Sequence, residues 1–377
     1  MKEKKRIIHI AQANGGVERY LKMFFKYWNN SNYENYLIVS EQYRDSVVDF
    51  ENLGVKTYVI EMKREINIIS DLKSIINIYK IIKTERPNIV YTHSSKAGGL
   101  GRIPAKLLGC KSVYNPHGWA FDMNMSNEKR MLFKYIEKYS SLITDKIVAI
   151  SPYERDVAIK NNITSENKIN IIENAIDLEN SDPVDKNIII KNLEWRETDI
   201  IIGMVARISN QKSPETFIDI AEKLNKKIPG CRFVLVGDGE KRSVIEELIR
   251  KKGLEDKFFI TGWIDNVEDY INIFDVALLT SKWEGFGLVI PEYMACKKPV
   301  VASNIGGITN IIDHYETGFL VDDLNVDKFV EYISIVLFDE NIRKKIINNA
   351  YIKVKSKYDF KRVIYQHLDM FDKMMNM

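Results

Sequence analysis

Short runs of β-branched and other apolar residues alternate with longer stretches of helical period along the whole chain, the pattern of parallel strands wrapped by helices. In the first half the apolar runs predict strands at 6–10, 36–40, 56–60, 88–93, 112–115 and 146–151, with a seventh at 170–175. Helical periodicity lies between them, for example over 16–28 and over 70–84, the latter opening on Ser70-Asp71 and ending before Pro87. A polar segment at 177–185, containing Pro183, interrupts the pattern, and the alternation starts again near Asp199. The second half gives strands at 200–205, 232–236, 258–261, 276–281, 300–303 and 318–321. The last stretch, 360–374, is amphipathic, with Val363, Ile364, Leu368 and Phe371 sharing a face.

These elements predict an α/β chain of two doubly wound Rossmann-like domains, residues 1–178 and 179–355, facing across a cleft. A closing helical segment, 356–377, would pack back on the first domain. A length of 377 residues suits two cores better than one. In doubly wound sheets ligands bind outside the carboxyl ends of the strands, so residues just after each strand are the ones to inspect.

The segment after the strand at 276–281 reads Ser281-Lys-Trp-Glu-Gly-Phe-Gly-Leu-Val-Ile-Pro-Glu. Gly285 and Gly287 flank Phe286 in a turn suited to close backbone approach, a helix begins near Leu288, and Pro291 fits its first turn. Glu284 precedes that helix and Glu292 lies inside it, a spacing that hands two carboxylates to different parts of one elongated ligand. A solvated surface turn would carry the same composition. After the strand at 200–205, Arg207 leaves the sheet and Lys212 sits just before a helix, a rigid fork and a compact ammonium suited to two phosphates. Gly237, in Gly-Asp-Gly after the next strand, is a weaker signal of the same kind. In the first half, Gly15 and Gly16 follow the first strand, and His117 stands between Pro116 and Gly118 after the fifth, placed to exchange hydrogen bonds or a proton.

Composition narrows the choice. Net charge is only +3, yet residues 1–178 sum to about +7 and the rest to about −4. The cations are interleaved with apolar residues, as in Lys106, Lys111, Lys129, Arg130, Lys134 and Lys138 among Ile103, Leu107, Leu108, Met131, Leu132, Phe133 and Ile136. That pattern suits an anionic membrane face or a phosphate-bearing acceptor better than nucleic acid, which is not expected as a partner. Ordinary packing of amphipathic helices on a sheet would read the same way. No run of 18 apolar residues and no signal-peptide core occurs, so the expected location is cytoplasmic, peripheral on the inner membrane face. Cys110, Cys231 and Cys296 lack metal or disulfide spacing and read as small buried hydrophobes. No Asp-x-Asp occurs, so no metal and no cofactor is expected, and positive charge must come from side chains and helix ends. The absence of Gly-x-x-x-x-Gly-Lys-Ser/Thr, and of Gly-x-Gly-x-x-Gly after a strand, weakens the NTPase and dehydrogenase readings.

With these residues the chain resembles the retaining GT-B glycosyltransferases of glycosyltransferase family 4. Glu284 and Glu292 match that family's Glu-x7-Glu motif, Arg207 and Lys212 its diphosphate-binding pair, and Gly15-Gly16 its N-terminal glycine loop. The resemblance covers nearly the whole chain. It implies a metal-independent hexosyltransferase using a nucleotide-sugar donor, with uridine the commonest base. Glu292 would hold the ribose, Glu284 and the amides of Gly285, Phe286 and Gly287 the donor sugar, and His117 would lie near the reacting carbon. Glu284, Arg207, Lys212 and His117 thus form the expected catalytic set, with Gly15, Gly16 and Gly237 beside the donor. The segments 92–98 and 114–121 resemble the branch that builds bacterial capsular and surface polysaccharides on lipid carriers, which implies a lipid-linked saccharide acceptor and places His93, Lys96 and Arg102 on the acceptor or membrane side. Two residues depart from the family pattern: Lys297, where glycine is common after the Glu-pair helix, and Asn310, where a glutamate is common. A sugar-nucleotide epimerase and a non-catalytic nucleotide-sugar binding protein are the alternatives.

Overall fold

The structure, a computed structural model, describes residues 4–13, 15–30, 32–179 and 184–376. Asn14 of the first glycine loop, the first three residues of the basic start, and Asn180 to Pro183 of the polar segment lie outside the described residues. The chain divides into one compact unit of residues 1–174 with 360–377 and a second of residues 175–359. The chain returns to its first unit with the final helix, so the second unit begins a few residues before, and ends a few residues after, the bounds read from sequence.

The first unit contains a seven-stranded parallel sheet in the order β3-β2-β1-β4-β5-β6-β7. Its strands are β1 (Lys5–Ala11), β2 (Tyr33–Ser40), β3 (Lys56–Ile60), β4 (Ile89–His93), β5 (Lys111–Asn115), β6 (Lys146–Ala149) and β7 (Ile169–Ile171). The second unit has six parallel strands in the order β10-β9-β8-β11-β12-β13: β8 (Ile200–Val205), β9 (Cys231–Val236), β10 (Phe258–Ile260), β11 (Val276–Leu279), β12 (Val300–Ser303) and β13 (Phe319–Val321). Both are doubly wound α/β sheets, and each reverses strand order beside its first strand, between β1 and β4 and between β8 and β11. The central strands are buried on both faces, which is why they appear as near-continuous apolar runs, such as Ile7-Ile8-His9-Ile10 in β1 and Phe233-Val-Leu-Val236 in β9.

Local corrections follow from side-chain chemistry. The second long helix is Ile68–Glu85, not 70–84, because the Asn67 side chain accepts from the Ser70 amide at 3.0 Å and caps it two residues earlier. The final helix, Phe360–Met375, buries Val363, Ile364, His367, Met370, Phe371 and Met374, so His367 rather than Leu368 belongs to its inner stripe. The cysteines are all free thiols; Cys231 is buried and the other two are half-buried. Among the described residues no helix is long and apolar enough to cross a membrane.

Candidate functional site

In the second unit the carboxyl ends of β8 and β11, on either side of the strand-order reversal, carry the charged candidates. The loop after β8 holds Arg207 and Lys212 and ends at Ser213, whose left-handed φ of 45° turns the chain into the helix Pro214–Lys227. Strained non-glycine backbone of this kind concentrates at functional loops. The loop after β11 is tied to it: the Lys282 amide donates to the Gln211 carbonyl at 2.7 Å, Gln211 Nε2 donates to the Trp283 carbonyl at 2.9 Å, and Thr280 Oγ1 donates to the Lys212 carbonyl at 2.8 Å. This lacing brings the Lys212 ammonium onto the Glu284 carboxylate, which also accepts from Ser281 Oγ at 3.3 Å. The pair is largely shielded, Lys212 at 18% and Glu284 at 13% side-chain exposure, so each charge depends on the other in the absence of ligand.

Arg207 is held differently. It pairs with Glu240 at 3.1 Å, and both side chains are more than half exposed, a contact of little energy that a better anion displaces. Glu292 is buried in the helix Val289–Ala295. Phe286 is also buried and sets its ring against Tyr358, which leaves only its backbone for a ligand. A Cβ on Gly306 or Gly307 would overlap the carbonyl oxygens of Glu284 and Gly285, and one on Gly237 would overlap that of Ala206. These glycines therefore let one loop lie on its neighbour, and Gly237 packs β9's loop against β8's instead of opening toward a ligand. Lys297 does take the left-handed φ, 55°, with its ammonium 4.8 Å from the Tyr351 ring centroid. Among the described residues, no three His, Cys, Asp or Glu side chains converge as metal ligands would.

The first unit presents a different chemistry. Four of the protein's five histidines gather at the carboxyl side of its sheet. His117 Nε2 lies 3.0 Å from His93 Nδ1, His93 Nε2 lies 3.1 Å from His9 Nδ1, and His9 Nε2 lies 3.3 Å from Asn35 Oδ1. His367 Nε2 receives the hydroxyls of Tyr91 at 3.0 Å and Tyr20 at 3.3 Å, while its Nδ1 meets the Val363 carbonyl at 2.7 Å. Burial disfavours the imidazolium and pulls every one of these groups down, His9 to about 3, His367 to about 4, and His93 and His117 also below their ordinary value. The cluster is neutral at physiological pH. His117 sits at a left-handed φ of 50°, its amide bonded to Asn115 Oδ1 at 2.9 Å and its half-buried ring edge-on to Tyr20. Behind the next residue, the buried Glu154 carboxylate accepts from the amides of Gly118 and Ile150, and desolvation pushes its pKa up to about 8.

Gly15 has a φ of 77° and Gly16 opens the helix Gly16–Tyr27; both are exposed, and a Cβ on either would meet nothing. The three residues expected on the acceptor or membrane side have other surroundings. His93 is fully buried and backs His117. Lys96 pairs with Asp71 at 2.6 Å and donates to the Glu65 carbonyl at 2.8 Å, tying two helices together. Arg102 corrects the expectation most: only 1% exposed, it pairs with Glu137 at 3.0 Å and lies over the Tyr114 ring, so it joins the helices Ser95–Leu107 and Asn127–Ser141 and meets no surface.

Sequence reasoning missed Glu240, Gln211, Asn35, His9 and His367. The only signal for the last two was a histidine inside an otherwise apolar strand or helix face, which says that a buried polar partner exists without naming it.

Comparison with known proteins agrees with this architecture. The profile of the family described as Glycosyltransferase Family 4 matches residues 14–180, and that described as Glycosyl transferases group 1 matches residues 185–353. An Escherichia coli relative, UDP-Gal:alpha-D-GlcNAc-diphosphoundecaprenol alpha-1,3-galactosyltransferase, is 30% identical over 362 residues, covering 91% of this chain and 93% of the relative. The Staphylococcus aureus capsular polysaccharide biosynthesis glycosyltransferase CapM is 27% identical over 325 residues, 83% of each chain. Among solved structures, a Rickettsia africae glycosyltransferase superposes with a TM-score of 0.83 at 23% identity, covering 99% of both chains. Anabaena HepE in complex with UDP superposes at 0.82 and 20% identity, over 98% of this chain and 100% of that one. Two parallel doubly wound sheets, an Arg-Lys pair and two glutamates at the strand ends of the second, and matches across both halves lead to one conclusion: the chain belongs to the GT-B glycosyltransferases of group 1, family 4.

Proposed function

We propose that the protein transfers a hexose, with retention of configuration and without a metal, from a UDP-sugar held by the second unit to a saccharide on a lipid diphosphate held by the first. The pathway would be that of a bacterial capsular or surface polysaccharide. The observation that carries the reading is the Lys212–Glu284 pair beside Arg207 at the strand-order reversal of the second sheet. An arriving diphosphate competes with Glu284 for Lys212 and with Glu240 for Arg207, and both cations then stabilise the charge that grows as the bond to the sugar breaks. Glu284, released, accepts from the sugar hydroxyls; Glu292 holds the ribose; His117 stands on the acceptor side. The resemblance to retaining family members implies a front-face attack by the acceptor hydroxyl, with the leaving diphosphate held by Arg207 and Lys212. The absence of Asp-x-Asp and the presence of two cations favour metal independence. The E. coli relative's printed donor and acceptor and CapM's capsular role support the substrate class.

The first unit's surface supports a membrane-borne acceptor. Ile68, Ile69, Leu72 and Ile76 on one helix, Leu107 on the next, and Met131, Leu132 and Tyr139 on a third are exposed beside Lys106, Lys129 and Lys138. We place these helices on the anionic inner face of the membrane, where apolar insertion and lysine attraction act together.

The test incubates the protein with UDP-hexoses and GlcNAc-diphospho-polyprenol in anionic vesicles, with and without EDTA. The expected result is an α-linked disaccharide lipid plus UDP, formed equally in chelator. Epimerised or hydrolysed UDP-sugar without any acceptor product would replace this reading with the epimerase one.

A further inference from the structure

Three of the first unit's four histidines, His9, His93 and His117, lie on one diagonal of the sheet. Asn35 of β2 pairs in register with Ile7, two residues before His9 of β1. His9 pairs with Tyr91, two residues before His93 of β4, and His93 pairs with Asn115, two residues before His117. Each step therefore moves one strand across and two residues toward the carboxyl end. A step of two preserves the face of the sheet, so Asn35, His9, His93 and His117 align along one face. The diagonal crosses the reversal between β1 and β4 and ends in the loop after β5, with His117 the last member.

The hydrogen-bond chain along this diagonal has a single polarity. Buried imidazoles at this site are neutral, so each carries one ring proton, and each link between two rings consumes one proton and one lone pair. At the far end Asn35 Oδ1 accepts, which puts the His9 proton on Nε2. His9 Nδ1 is then a lone pair and requires Nε2–H on His93; His93 Nδ1 in turn requires Nε2–H on His117. His117 Nδ1 is left unprotonated and, among the described residues, has no partner. Were the terminal group a donor, every proton along the chain would move to the other nitrogen and His117 would present an N–H. His367 is outside this chain, because the Val363 carbonyl fixes its proton on Nδ1 and its Nε2 receives the two tyrosines.

We propose that Asn35, through His9 and His93, sets the tautomer of His117, so that His117 meets its substrate as a hydrogen-bond acceptor for a sugar hydroxyl. Asn35, His9 and His93 are positioning residues; His117 alone touches substrate. The inference rests on the reading of His117 as a site residue, and it explains why one histidine in the loop after β5 is backed by two more in the central strands. A hydrogen-bond partner behind an imidazole that fixes its tautomer is a familiar device in metal and triad sites, and here it acts over three residues.

The test is 15N-edited NMR of the full chain, labelled at histidine, near pH 8, with each signal assigned by single His→Gln variants. His9, His93 and His117 are expected as Nε2–H tautomers and His367 as Nδ1–H. Asn35→Asp, whose carboxylate only accepts, should keep the His117 tautomer and hold transfer within about twofold of the parent. Asn35→Leu removes the terminal acceptor; it should give a mixed His117 tautomer and lower kcat about tenfold, the effect of one misplaced hydrogen bond in the transition state, with donor KM unchanged. A His117 Nδ1–H in the parent protein overturns the proposal, as does a His117 tautomer unmoved in Asn35→Leu. The parent spectrum decides even where a variant fails to fold. Full transfer activity in His117→Ala would instead defeat the reading of His117 as a site residue, and it is distinguishable because the tautomer measurement needs no turnover.

Discussion

The two units share a topology and differ in what they put at the ends of their strands. Beside the reversal between β8 and β11 the second unit places charges: an ammonium on a carboxylate, and an exposed guanidinium lightly held by Glu240. Beside the reversal between β1 and β4 the first unit places neutral rings: three imidazoles bonded in a chain, and a fourth bonded to two phenols next to it. One frame thus serves two chemistries, because the sheet fixes only where the loops emerge and the loop residues decide what is bound. A charged end suits a diphosphate. A neutral, desolvated end suits sugar hydroxyls, which need directional donors and acceptors without a net field.

Acid should separate the units most strongly. The buried histidines have folded pKa values depressed below 6.5, so their contribution to stability is complete above that value and is lost as pH falls, since only the unfolded chain takes up the protons. Each such group costs about 1.4 kcal/mol per pH unit between pH 6.5 and about 4. Glu154, raised to about 8, works the other way over pH 8 to 4.5 and offsets one of the four. The second unit holds only His314, lowered and near the surface. Tryptophan fluorescence and hydrogen exchange against pH should show residues 4–174 losing protection first, below pH 6; loss of both units together would break the comparison.

Next in size is the charged end. Lys212→Ala leaves the shielded Glu284 without its counter-ion and removes the cation proposed to hold the diphosphate, so kcat/KM should fall about 10² to 10³-fold in a transfer assay. A fall of less than threefold would show that the ammonium serves only to neutralise Glu284. The two glutamates should then divide. If Glu292 holds the ribose as proposed, Glu292→Ala should chiefly raise donor KM, whereas Glu284→Ala should chiefly lower kcat, each by about ten- to a hundred-fold. Equal loss of free-UDP binding in both variants would refute the division. The smallest effect concerns backbone alone: Lys297→Gly relieves a left-handed φ at a helix end and should raise stability by about 1 kcal/mol, read as an upward shift in denaturant midpoint.

All thirteen strands were legible in the sequence, because fully buried parallel strands leave runs of β-branched residues. Their ends were less so, and the errors have causes. The strand read as 276–281 stops at Leu279, yet Thr280 and Ser281 are fully buried, their hydroxyls bonding the neighbouring loop and Glu284, so burial outlasts the ladder. The strand read as 36–40 begins at Tyr33; the polar Glu34 and Asn35 lie outside its apolar run, so the pattern does not reveal the residue that terminates the histidine chain. Arg207, Lys212, Glu284 and Glu292 announced themselves by spacing within single loops. The histidine array did not, since its members and the terminal Asn35 come from three strands and the loop after β5, and only the register aligns them.

Calorimetric titration of free UDP into three proteins decides whether the diphosphate belongs to the charged end or to the neutral one. The parent and His117→Ala should bind UDP with dissociation constants within about twofold of each other, while Lys212→Ala should bind at least about tenfold more weakly, the loss of one charge-assisted contact. Weakening of UDP binding by His117→Ala to the same extent as by Lys212→Ala would contradict placement of the diphosphate at the charged end.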